Sequence, residues 1–435
     1  MRPLLVQGGR IVDPGQNLDE AGSLLISGGR IAWVGKEGPP EADYDVIDAK
    51  GLIVCPGFID LHCHLRQPGF EEKETIASGS RAAARGGFTT ICCMPNTEPP
   101  LGNKETVEFV RATAEREGII RVLPIGCVSK ARKGEELTDM EGLAKAGVIG
   151  FSDDGDPVST PELMRRALEH SLKSNLPVID HCEDKAIAEG GQMNQGKTAA
   201  ELGLKGIPDA AEENIVARDL ELAETTRGWV HIAHVSTEGS VELIRQAKAK
   251  GIRVTAEVTP HHPTLTEERV RGLNASAKVN PPLRTEQDVR ALIKGLNDNT
   301  IDIIATDHAP HTQADKRQPF ELAPFGISGF ETAFGSLMGL VHRGDMSLVT
   351  LIAKLTTEPA RILGQKYGLG TLAVGSTADV TILDPDLEWT VDTSEFYSKG
   401  KNTPLAGERL KGRVMATIYG GKIVYRDESV NGLQK

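Results

Sequence analysis

Histidines and aspartates close several of the apolar, strand-like runs in this chain. His62 and His64 stand two apart in "GFIDLHCHL" (57–65). His181 closes the "PVID" run, His234 closes "VHIA", and Asp307 closes "IDIIAT". Asp153 and Asp154 end "VIGFSDDG" (148–155) in the same way. Taken singly, each is a weak signal, since strand ends are often merely solvated and an HxH pair can be structural. Repetition over five strands points elsewhere. Residues two apart on a strand point the same way, so His62 and His64 can reach one cation while Cys63 faces the opposite side. A ring of imidazoles and carboxylates suits Zn2+ or a similar divalent ion. Six candidate ligands exceed what one tetrahedral zinc with an open position needs. Two ions sharing a bridging carboxylate and a bridging water fit better. The chemistry of the sequence leaves Asp153 and Asp154 nearly tied for the bridge.

Other polar residues carry blander expectations. His231 lies three before His234 and faces away from it, which suits a structural role. His261 and His262 lie past the seventh run, where one of them reaches substrate or neither does. His170 and His342 fall in helical patterns and read as surface residues. Cys182 follows His181 directly, and alternation turns its thiol away from any metal.

These residues need a scaffold that brings the strand ends together. Eight β-rich runs (57–65, 88–96, 121–129, 148–155, 177–184, 229–237, 253–262 and 301–311) recur along the chain, most of them followed by a helical pattern. That alternation reads as a (β/α)8 barrel in preference to an open doubly wound sheet, because the count is eight. In such a barrel the reactive residues sit at the C-terminal ends of the strands. Thr138 and Glu141 are spaced as a capping box, and Thr160 with Pro161 reads as an N-cap and first helical position. Residues 186–210 and 263–285 are richer in Gly, Pro and polar residues and read as excursions on the loop face. Residues 1–56 and 369–435 look different, with antiparallel strand patterns and Gly turns but no helices between them. The expected division is 1–56 and 369–435 as two parts of one small β-sandwich, with 57–368 as the barrel.

Composition narrows the functional classes. The chain has 435 residues, 39% hydrophobic and 25% charged, which fits a globular protein. Its net charge of -12, from 49 basic and 61 acidic residues, argues against nucleic acid and acidic membranes as partners. Local Arg and His clusters still permit an anionic small substrate. The start, "MRPLLVQGGRIVDPGQ", lacks the apolar core and cleavage site of a secretory signal. No run of about 18 apolar residues suggests a membrane span. Cys55, Cys63, Cys92, Cys93, Cys127 and Cys182 lie mostly in apolar runs and are expected to be reduced and buried. The cytoplasm is the expected location.

A β-flank leading into "PGFIDLHCH", then barrel-end His, His and Asp, resembles the amidohydrolase superfamily. More narrowly, "DLHCHLRQPGFEEKETI", "GGFTTICCMPNTEPP", "FSDDG", "DHCED", "IAHVST", "TPHH", "NPPLR", "ATDHAPH" and "APFGISGFETAF" resemble the bacterial type I dihydroorotase family. The resemblance runs in order over essentially the whole chain. It implies two zinc ions per subunit: one held by His62, His64 and Asp154, the other by His181 and His234, with Asp154 bridging. It implies that Asp307 contacts a metal and serves as general acid/base toward a metal-bridging hydroxide. It further implies that Arg66, Asn96 and His311, beside His64, hold a substrate carboxylate. Asn280 and the Pro324–Gly326 turn, with Phe325 and Gly326, would line the substrate ring. The implied reaction is the reversible cyclisation of N-carbamoyl-L-aspartate to L-dihydroorotate in de novo pyrimidine (UMP) biosynthesis. Many binuclear relatives bridge their metals with a carboxylated lysine on strand four. This chain has none there, the nearest being Lys145 in the preceding helix, so an aspartate bridge is expected. The competing readings are another cyclic amidase, such as an allantoinase or dihydropyrimidinase, and an inactive dihydroorotase-like scaffold for aspartate transcarbamoylase. The resemblance allows aspartate transcarbamoylase or a second copy of the chain as a protein partner, and nothing in the residues themselves points to either.

Overall fold

Parallel strands beginning with the first apolar run build the barrel in chain order. Phe58–Cys63 pairs with Phe88–Cys93, which pairs with Arg121–Pro124. Parallel bridges Gly126 to Phe151 and Phe151 to Val178 carry the wall across the fourth position. Val178–Asp180, Val230–Ile232, Val254–Val258 and Ile303–Ile304 follow in order, all parallel. The wall closes where Cys63 bridges His308, with the His64 amide donating to the His308 carbonyl at 2.9 Å. The computed structural model describes residues 2–36, 38–39 and 43–428. The expected (β/α)8 barrel is therefore present, with its fourth stave reduced to the backbone around Phe151. Beyond that residue, the Asp153 side chain binds the amides of Val128 and Ser129, in place of a continued backbone ladder.

Helices cover the outside of the wall, from Ile76–Arg85 after the first strand to Ala333–Arg343 after the eighth. Thr160 caps Pro161–Ser174 through the Leu163 amide, as its position before Pro161 suggests. The capping box expected at Thr138 is not formed. Helix Met140–Ala146 is capped by Asp139 through the Gly142 amide, while the Thr138 hydroxyl donates to the Cys127 carbonyl at 2.7 Å. A carboxylate one residue nearer the helix takes the cap, and the buried hydroxyl satisfies a loop carbonyl instead.

Both faces of the wall are apolar, as a parallel sheet covered on two sides requires. Phe58, Cys63, Phe88, Ile91 and Cys93 pack outward against helices, while Ile59, Leu61, Cys92, Met94, Ile125, Ile179 and Ile303 fill the interior. Strict alternation would put His62 with Phe58 on the outside. A register shift between Asp60 and Cys63 breaks it, and this irregularity turns both His62 and His64 inward.

The two chain ends share one sheet. Val380–Thr390 runs antiparallel to Ile53–Pro56, which joins Leu4–Asp13, Leu18–Ser27 and Arg30–Gly35 on one side. Arg409–Tyr419 and Lys422–Arg426 extend it on the other. An Arg30–Thr377 bridge curls the far edge back over a core that includes Leu4, Ile26, Ile47, Val380 and Ile418. On the barrel side, Met193–Asn194 and Gly206–Ile207 pair within the first predicted excursion. The buried Arg284 ties that excursion down, donating to Asn194 Oδ1 at 2.8 Å and the Ile207 carbonyl at 2.9 Å. All six cysteines are free and buried. Among the described residues, no helix is long and apolar enough to cross a membrane.

Candidate metal and substrate site

The two histidines of the first strand are aimed by their outer nitrogens. His62 Nδ1–H donates to Glu257 Oε1 at 2.5 Å, and His64 Nδ1–H donates to Asn96 Oδ1 at 2.9 Å. Each ring therefore presents Nε2 to the barrel mouth. His62 Nε2 is buried there with no hydrogen-bond partner. It lies 3.4 Å from Asp154 Oδ1 and 3.5 Å from Asp307 Oδ1.

Asp154 addresses all four histidines. Its Oδ1, also buried without a hydrogen-bond partner, stands 3.4 Å from His62 Nε2, 3.6 Å from His234 Nε2 and 3.7 Å from His181 Nδ1. Its Oδ2 stands 3.5 Å from His64 Nε2. Asp153 is differently employed, with its carboxylate held by the amides of Val128 and Ser129. The geometry thus separates two residues that their chemistry in the sequence leaves tied and between which only the family resemblance chose: Asp154 faces the cluster and Asp153 anchors the loop.

His181 Nδ1 and His234 Nε2 converge to 2.9 Å, and Asp307 Oδ1 lies 2.9 Å from His64 Nε2. Two overlapping triads, His62–His64–Asp307 and His62–Asp154–His234, bring their ligand atoms within 4.8 Å of one another. His181 adjoins the second triad through His234 and Asp154. His62 Nε2 and Asp154 Oδ1, both buried without a hydrogen-bond partner and facing each other, are costly unless something binds them. The donor set, four imidazoles and two carboxylates, fits divalent metal. Burial disfavours charge throughout, yet the mutual pairing prevails. Glu257 and Asp154 hold the His62 imidazole well above the usual histidine range, despite that burial. Against the same burial, the neighbouring histidines hold Asp154 well below the usual carboxylate range and Asp307 below it too. His234, Asp307 and Arg66 adopt left-handed backbone, with φ of 32°, 44° and 60°. Such conformations cost non-glycine residues about 1–3 kcal/mol each and gather at functional sites.

A cavity of about 180 Å³ opens over this cluster. Its wall includes Arg66, Asn96, Asn280, His311, Phe325 and Gly326, the residues proposed for substrate contact, with five of the six ligand candidates beneath; His62 lies behind them. Arg66 Nε donates to the Pro310 carbonyl at 3.3 Å, and among the described residues no carboxylate pairs with its guanidinium. His311 Nε2–H donates to the Phe325 carbonyl at 2.8 Å, leaving Nδ1 buried without a hydrogen-bond partner. Asn96 spends its oxygen on His64, so only its Nδ2 is left for a ligand. Asn280 Nδ2 donates to Glu183 Oε1 at 2.9 Å, beside His181 Nε2.

Glu257 escaped sequence reasoning. It is 1% exposed near the C-terminal end of Val254–Val258, and its second oxygen accepts from His231 Nε2 at 3.1 Å. His231 is thus structural, as its spacing suggests, but it braces the acid that aims His62. His262 holds the Pro281 carbonyl at 3.0 Å next to Asn280, and neither His261 nor His262 lines the cavity. Lys145 is paired with Glu141 on an exposed helix face and offers nothing to the cluster.

Residues 51–240 match the Dihydro-orotase-like family profile. A dihydroorotase of Caldanaerobacter subterraneus subsp. tengcongensis is 51% identical over 424 residues, covering 97% of each chain. The chain belongs to the dihydroorotase family. A second dihydroorotase, from Pelotomaculum thermopropionicum, is 51% identical over 98% of this chain and 99% of its own. Among solved structures, the L-hydantoinase (dihydropyrimidinase) of Arthrobacter aurescens superposes with a TM-score of 0.89. It is 26% identical, over 99% of this chain and 98% of that one. The architecture is thus shared with hydantoinases, while full-length sequence likeness at half identity is to dihydroorotases.

Proposed function

We propose that this chain is a dihydroorotase, a cyclic amide hydrolase that interconverts L-dihydroorotate and N-carbamoyl-L-aspartate in pyrimidine biosynthesis. The observation that carries the substrate is Arg66: a guanidinium with no carboxylate partner among the described residues, in the wall of a cavity above the candidate metal ligands. A planar fork of this kind recognises a carboxylate bidentately, and dihydroorotate carries one at the edge of its cyclic amide. Hydantoinase-type and allantoinase-type rings lack that group.

His62, His64, Asp154, His181 and His234, with Asp307 against them, would hold two divalent ions, zinc by the chemistry of the donors. When bound, such ions polarise the amide carbonyl and lower the pKa of water toward neutrality. Asp307, held ionised among histidines, takes the proton from the attacking water and returns it to the ring nitrogen as the C–N bond breaks. Arg66 fixes the carboxylate; His311, with Nε2–H on the Phe325 carbonyl, joins it by donating from Nδ1 as an imidazolium that the bound anion stabilises, and Asn280 with Phe325 and Gly326 confines the ring. Cyclisation reverses each step. Every ligand position is filled, which favours an active enzyme over an inert scaffold.

The test is a substrate panel on purified protein with its bound metal counted. Dihydroorotate should be turned over in preference to dihydrouracil and allantoin. Preference for either uncharged ring, or full activity after metal removal, would defeat the proposal.

A further inference from the structure

The carboxylate-binding corner of the cavity is braced from an unexpected place, the segment between Val380–Thr390 and Arg409–Tyr419 in the C-terminal part of the chain. Asn402 is 4% exposed and spends all four of its amide hydrogen-bonding positions on the loops of that corner. Its Oδ1 accepts from the His311 amide at 3.0 Å and the Ser328 hydroxyl at 2.9 Å. Its Nδ2 donates to the carbonyls of Ala309 at 3.1 Å and Gly326 at 3.0 Å. One side chain thus fixes the backbone on both sides of Pro310, whose own carbonyl accepts from Arg66 Nε. Two residues earlier, Gly400 lies flat on Pro310. A Cβ there would come within 2.4 Å of Pro310 Cβ and 2.7 Å of Ser328 Oγ, so only glycine allows the approach. The segment is anchored in turn by Ser398, whose hydroxyl donates to Glu74 at 2.5 Å and accepts from the Gly400 amide at 3.1 Å.

We infer that Asn402 is a positioning residue for substrate-carboxylate recognition: it sets the spacing of Arg66 and His311 and thereby the affinity for an anionic ring, without acting on the metal cluster. The inference rests on the dihydroorotase reading for the identity of that ring. Its physical basis is preorganisation. Arg66 and His311 bind one carboxylate well only if their separation is fixed beforehand, because preorganisation removes the ordering cost otherwise taken from binding. Arg66 and His311 each hold one loop carbonyl directly, and four bonds that brace those loops converge on one buried amide.

The experiment uses full-length, metal-loaded Asn402→Ala and Asn402→Asp. The aspartate keeps an oxygen for His311 and Ser328 but has no donor for Ala309 and Gly326. The readouts are KM and kcat for dihydroorotate, the calorimetric Kd of orotate, and bound metal per chain. We expect KM and the orotate Kd to rise by about tenfold or more, with kcat and metal content near wild type. Unchanged KM and Kd, or a loss of metal, or a fall in kcat at constant KM, would overturn the inference. If the alanine variant does not fold, the same readouts on the aspartate variant decide. A wild-type protein that binds orotate but turns over no dihydroorotate would count against the functional reading, and not against Asn402.

Discussion

Removing Glu257 should loosen the metal more than its distance from the cavity suggests. Glu257 is not a ligand; it holds His62 by Nδ1–H and is held by His231. In Glu257→Leu the His62 Nδ1–H is left buried with no acceptor, at a cost of about 1–3 kcal/mol, and the ring is free to turn Nε2 out of register. Outer partners of this kind are worth about 10- to 100-fold in metal affinity, or about 1.4–2.8 kcal/mol. Glu257→Gln should do less harm. Its single oxygen can still accept from His62, and His231 can meet the new amide by shifting its proton to Nδ1, which faces Thr255 Oγ1 at 2.8 Å. Only the charge is then lost. Chelator competition on the purified variants gives the affinities directly. We expect about tenfold weakening for Gln and about 100-fold for Leu. Wild-type affinity in Glu257→Leu, or equal losses in both variants, would refute the argument that this acid aims the ligand.

Three further outcomes follow from the same geometry. Asp154→Asn should strip metal from the protein, whereas Asp153→Asn should leave metal bound and lower Tm, since Asp153 serves the Val128 and Ser129 amides; metal analysis and thermal melts of the pair distinguish the roles. Asp307→Asn should lower kcat by at least about 100-fold with KM little changed, measured by steady-state kinetics, because the proton acceptor is lost while Arg66 and His311 remain. Metal affinity should fall as pH falls, starting above the ordinary histidine range. In the metal-free cluster His62 holds its proton more tightly than a free imidazole, so protons compete with metal from a higher pH downward; a Kd series against pH checks the sign.

Much of the site is legible in the sequence because barrel geometry converts strand ends into neighbours. His62, His64, His181, His234 and Asp307 each end or interrupt an apolar run, and the fold brings those ends together. Four features needed the three-dimensional structure. Residue chemistry leaves Asp153 and Asp154 tied, and the resemblance favours Asp154 without a physical reason; that reason, loop amides occupying Asp153, lies in the fold. Alternation misplaces His62 relative to Phe58, because a register shift at Asp60–Cys63 leaves no mark in residue type. Glu257 was hidden differently. A glutamate at the centre of "RVTAEVTPHH" is out of place in a buried strand unless it is paired, and that anomaly was the available signal. Asn402 gave none, because its partners lie 74–93 residues upstream and in another part of the fold.

The most direct measurement is ring closure of N-carbamoyl-L-aspartate by the purified chain, followed during stepwise return of zinc to the stripped protein. The account predicts that L-dihydroorotate forms only with metal and that activity saturates near two ions per chain. Ring closure by the fully stripped protein, or none at full metal loading, would contradict it.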